Sequence, residues 1–155
     1  MGMADMIASN DVSAQLVTYS LGSCVGIVIY DPVRKVGGML HAMLPDSTIN
    51  PARALIKPHM FVDTGLPALF QAVYSLGGVK SRLTVKLAGG AQFLDEKKVF
   101  NIEQRNTDQA LAQLSRDGVI PSARIIGGRD SRTLRLDLAT GELLLDVPGK
   151  PPSKI

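Results

Sequence analysis

Two apolar segments separated by a turn signal constrain this chain more than any other feature. CVGIVIYD, Cys24 to Asp31, is dense in the β-branched residues that suit a pleated strand. GGMLHAML, Gly37 to Leu44, follows across DPVRKV, in which Asp31-Pro32 is a turn opener. The pair predicts an antiparallel hairpin. A loop of Pro32 to Lys35 pairs Asp31 with Val36; counting back places His41 opposite Gly26 and Cys24 opposite Met43. Strands alternate faces with a period of two, so Cys24, Gly26, Val28 and Tyr30 share a face, as do Gly37, Met39, His41 and Met43. Opposed residues point the same way. Cys24 and His41 then become diagonal neighbours, with Cβ atoms about 7–8 Å apart, and Gly26 leaves the imidazole room to swing. A one-residue slip would put the two on opposite faces. A shorter Pro32-Val33 loop keeps the parity but lacks the Gly or Asn such turns favour.

The rest of the chain also alternates short apolar runs with Gly and Pro, which predicts many strands and few helices. Ala14 to Leu21, Leu83 to Leu87, ARIIGG, TLRLDL and ELLLDV read as strands, with Gly141 in a hairpin turn between the last two. Helical spacing of Phe61, Val62, Leu66, Leu69, Phe70, Val73 and Leu76 predicts a helix over 58–76, with Pro67 inside as a kink or break. A second helix runs from Gln104 to Arg116, with Ala110, Leu111 and Leu114 inward. LPDSTINPARALIKP reads as loop. The chain of 155 residues fits a single domain, with a flexible Pro-rich tail at 148–155.

Hydrophobic residues make up 45% and charged residues 20%, enough for a core and against wholesale disorder. The net charge of +3 comes from scattered Lys and Arg, and aromatics are only 5%. That is too few stacking platforms and no basic footprint for nucleic-acid binding. No segment approaches the ~20 apolar residues of a membrane span, so no membrane insertion is expected. One cysteine excludes an internal disulfide and fits a reducing compartment. The expected location is the cytoplasm.

Cys24 is that cysteine, and His41 is one of two histidines. A free thiol has a pKa of about 8.5, so only a small fraction is thiolate at neutral pH. A neighbouring imidazole can take the proton and make the sulfur a nucleophile. The imidazole needs a third group to fix its tautomer, and Thr18, Tyr19 and Ser20 all offer hydroxyls. Small Gly22 and Ser23 keep the approach to the thiol open and can expose backbone N–H groups to an oxyanion. The competing reading is a buried core cysteine, a residue type that is often fully buried. A redox-sensing thiol would need an intermolecular partner. With two histidines and one cysteine, no metal site is expected, and no organic cofactor is required. His59 reads as a helix-surface or half-buried residue. The glycine pairs of LAGGA and IIGGRD lack the context of a nucleotide fingerprint and read as strand-end turns. Lys97-Lys98, Arg129, Arg132 and Arg135 read as solvated faces.

These residues carry a family resemblance. TYSLGSCVGIVIYDP followed by GGMLHAMLPDS closely resembles the signature of the CheD family, the chemoreceptor glutamine deamidases. The resemblance continues through KPHMFVDTGLPAL, KLAGGAQF, NIEQRN and GGRDSRTLRLDLATGELLL, from about Val12 to Val147. It implies an α/β (α+β) fold with β-sandwich-like mixed sheets flanked by about two to three helices, similar to a bacterial toxin deamidase domain. It implies Cys24 as nucleophile, His41 as base and Thr18 as the residue orienting His41. The implied substrates are glutamines on the helical cytoplasmic region of methyl-accepting chemotaxis receptors. Some members also bind and stimulate a CheC-type phosphatase, so a regulator with little catalysis of its own is the alternative. One departure is visible: NIEQRN carries Glu103 where the family usually has glycine, a residue that suggests a tight turn or a substrate-side surface.

Overall fold

A computed structural model describes residues 1–92 and 101–155. Lys97-Lys98 lies outside the described residues. The strands are β1 (Asp5–Ser9), β2 (Gln15–Leu21), β3 (Val25–Asp31), β4 (Val36–Ala42), β5 (Thr84–Gly89), β6 (Ala123–Ile126), β7 (Arg132–Asp137), β8 (Leu143–Asp146) and β9 (Ser153–Lys154). The helices are α1 (Pro51–Ile56), α2 (Val62–Ser75) and α3 (Ile102–Arg116). One sheet has the order β1-β4-β3-β5-β6 and is mixed, because β6 runs parallel to β5; the other has the order β2-β7-β8-β9. The fold is therefore of mixed α/β class, with two sheets and a helical layer.

The hairpin of β3 and β4 has the expected register: Asp31 pairs with Val36 and Gly26 with His41. β3 is the central strand, paired with β4 on one edge and β5 on the other. Every residue of β3 and β4 is buried. Val25, Ile27 and Ile29 pack with Val62, Leu66, Leu69, Ala110 and Leu114 of α2 and α3. Cys24, Val28, Tyr30 and Met39 pack with Leu16, Leu134, Leu136 and Leu143 of the second sheet. A strand covered on both faces gains nothing from polar alternation, which explains the continuous apolar run. β7 has one covered face and alternates accordingly, with Leu134 and Leu136 buried between less buried neighbours.

The space at Gly26 is not reserved for the imidazole. A Cβ there would press on Leu21 and Leu134, so the glycine admits core side chains from the second sheet. β2 is likewise not in the hairpin's own sheet. It pairs with β7, so Thr18 faces the hairpin across the sandwich.

α2 follows a short 3₁₀ turn at Pro58–Met60 and carries Pro67 inside. A proline lacks the N–H that would bond the carbonyl four residues back. That carbonyl belongs to Asp63, and Gln113 Nε2 of α3 donates to it at 3.2 Å, so the break in the ladder becomes a tie between helices. Three elements escaped the sequence reading. β1 is a short edge strand on β4 with no strong β pattern. α1 spans six exposed or half-buried residues, with Pro51 in its first turn and the Asn50 side chain accepting from the Arg53 N–H. Within 148–155, Ser153 and Lys154 form β9 against β8.

Asp31 closes the hairpin. Its buried carboxylate accepts from the N–H groups of Val33, Arg34 and Val79 and from the Arg82 guanidinium at 2.9 Å. Burial alone would raise its pKa, but Arg82 and the three N–H groups outweigh it and hold the carboxyl well below the usual range. Asp31→Ala leaves those N–H groups unpaired and is expected to cost about 3 kcal/mol. The deficit, read from urea unfolding midpoints, narrows as pH falls below about 4, where the wild-type contribution is lost by protonation.

Candidate active site

β2 and β4 bring Thr18 and His41 together. Both side chains are fully buried. Thr18 Oγ1 and His41 Nδ1 lie 2.8 Å apart. With Nδ1–H donating to the hydroxyl, the lone pair sits on Nε2, and Nε2 has no hydrogen-bond partner among the described residues. β1 and β3 flank His41 on both sides, through Asp5 and Gly26, so the imidazole stands on a fixed backbone. Burial brings its pKa down to about 4, with a further push from the Met1 ammonium, which donates to the Val17 carbonyl. At neutral pH His41 is therefore an uncharged imidazole, the form that can accept a proton.

Cys24 ends the Gly22–Cys24 segment between β2 and β3 and is 7% exposed. Burial pushes its thiol pKa up, and its own backbone N–H, beside the sulfur, partly offsets this. Three successive carbonyls of the segment are held from outside. Ala91 N–H donates to Gly22 O and Gly90 N–H to Cys24 O, both at 2.8 Å. Asn106 Nδ2 donates to Ser23 O at 3.1 Å and to Met43 O at 2.9 Å. The glycine pair of LAGGA is thus the wall behind Cys24. Gly89 has φ +117, and a Cβ there would overlap the Cys24 carbonyl oxygen, so no other residue fits without displacing the segment.

Arg132 departs from the solvated-face reading. It is buried and donates to Gly89 O at 2.9 Å and to Gly127 O, binding the two glycine pairs together. Arg129 is exposed, and Arg135 is half-buried and pairs with Asp146 at 2.7 Å. His59 is half-buried in its 3₁₀ turn, as expected. Among the described residues, no group of three His, Cys, Asp or Glu is arranged to hold a metal ion, and no helix is long and apolar enough to cross a membrane. Sequence reasoning missed Asn106 and Arg132. NIEQRN was a visible motif, but nothing in a helical pattern says that one of its polar residues points inward.

The model of the family described as CheD chemotactic sensory transduction matches residues 43–147. The chain is 44% identical over 149 residues to the probable chemoreceptor glutamine deamidase CheD 1 of Syntrophus aciditrophicus, covering 96% of this chain and 93% of that protein. It is 50% identical over 140 residues to the probable chemoreceptor glutamine deamidase CheD of Desulforamulus reducens, covering 88% and 83%. The protein of the same name from Pyrococcus abyssi is 46% identical over 128 residues, covering 81% and 77%.

The chain belongs to the CheD family. In this CheD chain, Glu103 stands in the first turn of α3, where a carboxylate suits the positive end of the helix dipole. The position is helical, not the tight turn a glycine suggests.

The buried imidazole also sets a pH dependence. The fold favours neutral His41, so the unfolded chain binds the extra proton. Stability from this source is full above pH 6.5 and declines as pH falls toward about 4. His41→Gln lacks the titration, so its urea midpoint is expected to fall less steeply than wild type across that interval.

Proposed function

We propose that this CheD chain is a chemoreceptor glutamine deamidase in which Cys24 is the nucleophile, His41 the base and Thr18 the residue that orients His41. One observation carries the reading. A buried neutral imidazole is aimed through Nδ1 by Thr18 and leaves Nε2 unpartnered, on the sheet face that also bears the only cysteine. The names of the relatives support the substrate class: each is called a probable chemoreceptor glutamine deamidase.

The chemistry follows from the charges. Burial keeps both thiol and imidazole neutral at rest. As the carboxamide carbon of a receptor glutamine comes within reach, the thiol proton passes to His41 Nε2 and the sulfur bonds to that carbon. The carbonyl oxygen becomes an oxyanion. His41 Nε2–H then protonates the nitrogen, the C–N bond breaks and ammonia leaves, forming a thioester. A water gives a proton to Nε2 and its oxygen to the thioester carbon. The C–S bond breaks, the sulfur recovers its proton and a glutamate side chain departs. One water is consumed and one ammonia released. The proposed location is the cytoplasm, where the helical signalling region of such receptors lies.

Incubation with a receptor cytoplasmic fragment, followed by mass spectrometry, tests this. Wild type is expected to convert glutamine to glutamate with ammonia release. Cys24→Ala abolishes conversion, His41→Ala lowers kcat by about 10²–10⁴-fold, and Thr18→Val lowers it less. Conversion that survives Cys24→Ala overturns the mechanism. Absence of conversion by wild type, with stimulation of a CheC-type phosphatase, would favour a regulator instead.

A further inference from the structure

Asn106 is a buried side chain with an unusual pair of partners. It rises from α3, is fully buried, and its Nδ2 donates to Ser23 O, just before Cys24, and to Met43 O, two residues after His41. The two carbonyls fix the orientation of the amide, since only the nitrogen can donate to them. Its Oδ1 is then left buried with no hydrogen-bond partner among the described residues. An orphaned buried acceptor costs about 1–3 kcal/mol. An arrangement that accepts this cost at the junction of the two site segments calls for a role beyond packing.

The two ends of the clasp are not equivalent. His41 is held by β1 and β3, and the chain beyond it by Met43 N–H donating to Met60 O at 2.8 Å. His41 therefore keeps its place without Asn106. Ser23 has no strand partner, and Asn106 is the only donor to its carbonyl among the described residues. In a trans peptide the C=O and the following N–H point in opposite directions. Holding Ser23 O toward α3 therefore turns the Cys24 N–H away from α3. That N–H makes no hydrogen bond to another residue among those described. It lies beside its own sulfur, where it favours the thiolate.

We propose that the Cys24 N–H is an oxyanion donor, and that Asn106 is the positioning residue that aims it by holding the Ser23 carbonyl. The inference rests on the acyl chemistry proposed above and names the donor that stabilises its charged intermediate. A backbone N–H held in place before the reaction costs no reorganisation when the oxyanion forms, and loss of one such donor lowers rates by about 10²–10³-fold.

The test compares two reactions of the same thiol. Alkylation by iodoacetamide displaces iodide and forms no oxyanion. Acylation by p-nitrophenyl acetate passes through a tetrahedral oxyanion, as deamidation does, and needs no receptor. Asn106→Ala is expected to slow acylation about 10²-fold, and receptor deamidation with it through kcat more than KM. Alkylation is expected to slow far less, by the small part the N–H plays in favouring the thiolate, with its pH profile shifted slightly to higher pH. Leu114→Ala, a core truncation on the same helix, lowers the melting temperature but leaves the ratio of the two rates unchanged. If Asn106→Ala melts below the assay temperature, Asn106→Ser supplies the comparison, its shorter hydroxyl giving partial loss of acylation. Equal loss of both reactions, or no loss of acylation, overturns the proposal. A wild-type enzyme that acylates normally but leaves receptor glutamines intact overturns the substrate assignment and not the oxyanion donor.

Discussion

β3 is paired along both edges and covered on both faces, and the geometry of the site hangs on that double constraint. Its edges set register against β4 and β5, and its faces reject any slip, because a one-residue shift would exchange the side chains packed on the helices with those packed on the second sheet. Asp31 locks one end of the strand through Arg82 and three backbone N–H groups. Cys24 stands at the other end, carried by the register that puts His41 opposite Gly26. His41 is thus placed by sheet geometry, while Cys24 sits one residue before β3 in a segment held by Gly90, Ala91 and Asn106.

The second sheet contributes what the hairpin lacks. β2 lays Thr18 across the sandwich onto His41, and the tight approach of the two sheets depends on glycine at 26 and 37, where a Cβ would press on leucines of the opposite layer. Burial then decides the electrostatics. It disfavours charge on both His41 and Cys24, so both are neutral at rest, and in the proposed mechanism charge separates only during the reaction. Groups that stabilise developing charge must be in place beforehand. The three carbonyls of the Cys24 segment are each held by a donor from β5's end or from α3, a rigidity that suits the proposed acyl chemistry.

Some of this was legible because it is local. Asp31-Pro32 and β-branched density specify the hairpin, and period-two counting from a four-residue loop reproduces the register from Asp31–Val36 to Val25–Ala42; the expected pair Cys24–Met43 falls outside the ladder, where Met43 N–H turns to Met60 O. The apolar spacing of α2 identifies its buried face from Phe61 to Val73. β1, α1 and β9 were not legible. Their sequences carry weak propensity, and what stabilises β1 and β9 is the edge of a strand distant in the chain.

Local pattern was enough for the strand that begins just after Cys24, its pairing with the strand of His41 and the face on which His41 lies, because a period of two and a short turn suffice to compute them. Long-range packing was needed for Thr18 to reach His41 from a different sheet, for Gly89 and Gly90 to back the Cys24 segment, and for Asn106 and Arg132 to become buried clasps. A buried polar side chain is chosen by the unpaired carbonyls around it. Those carbonyls come from segments far apart in sequence, so no pattern along one segment can reveal the match.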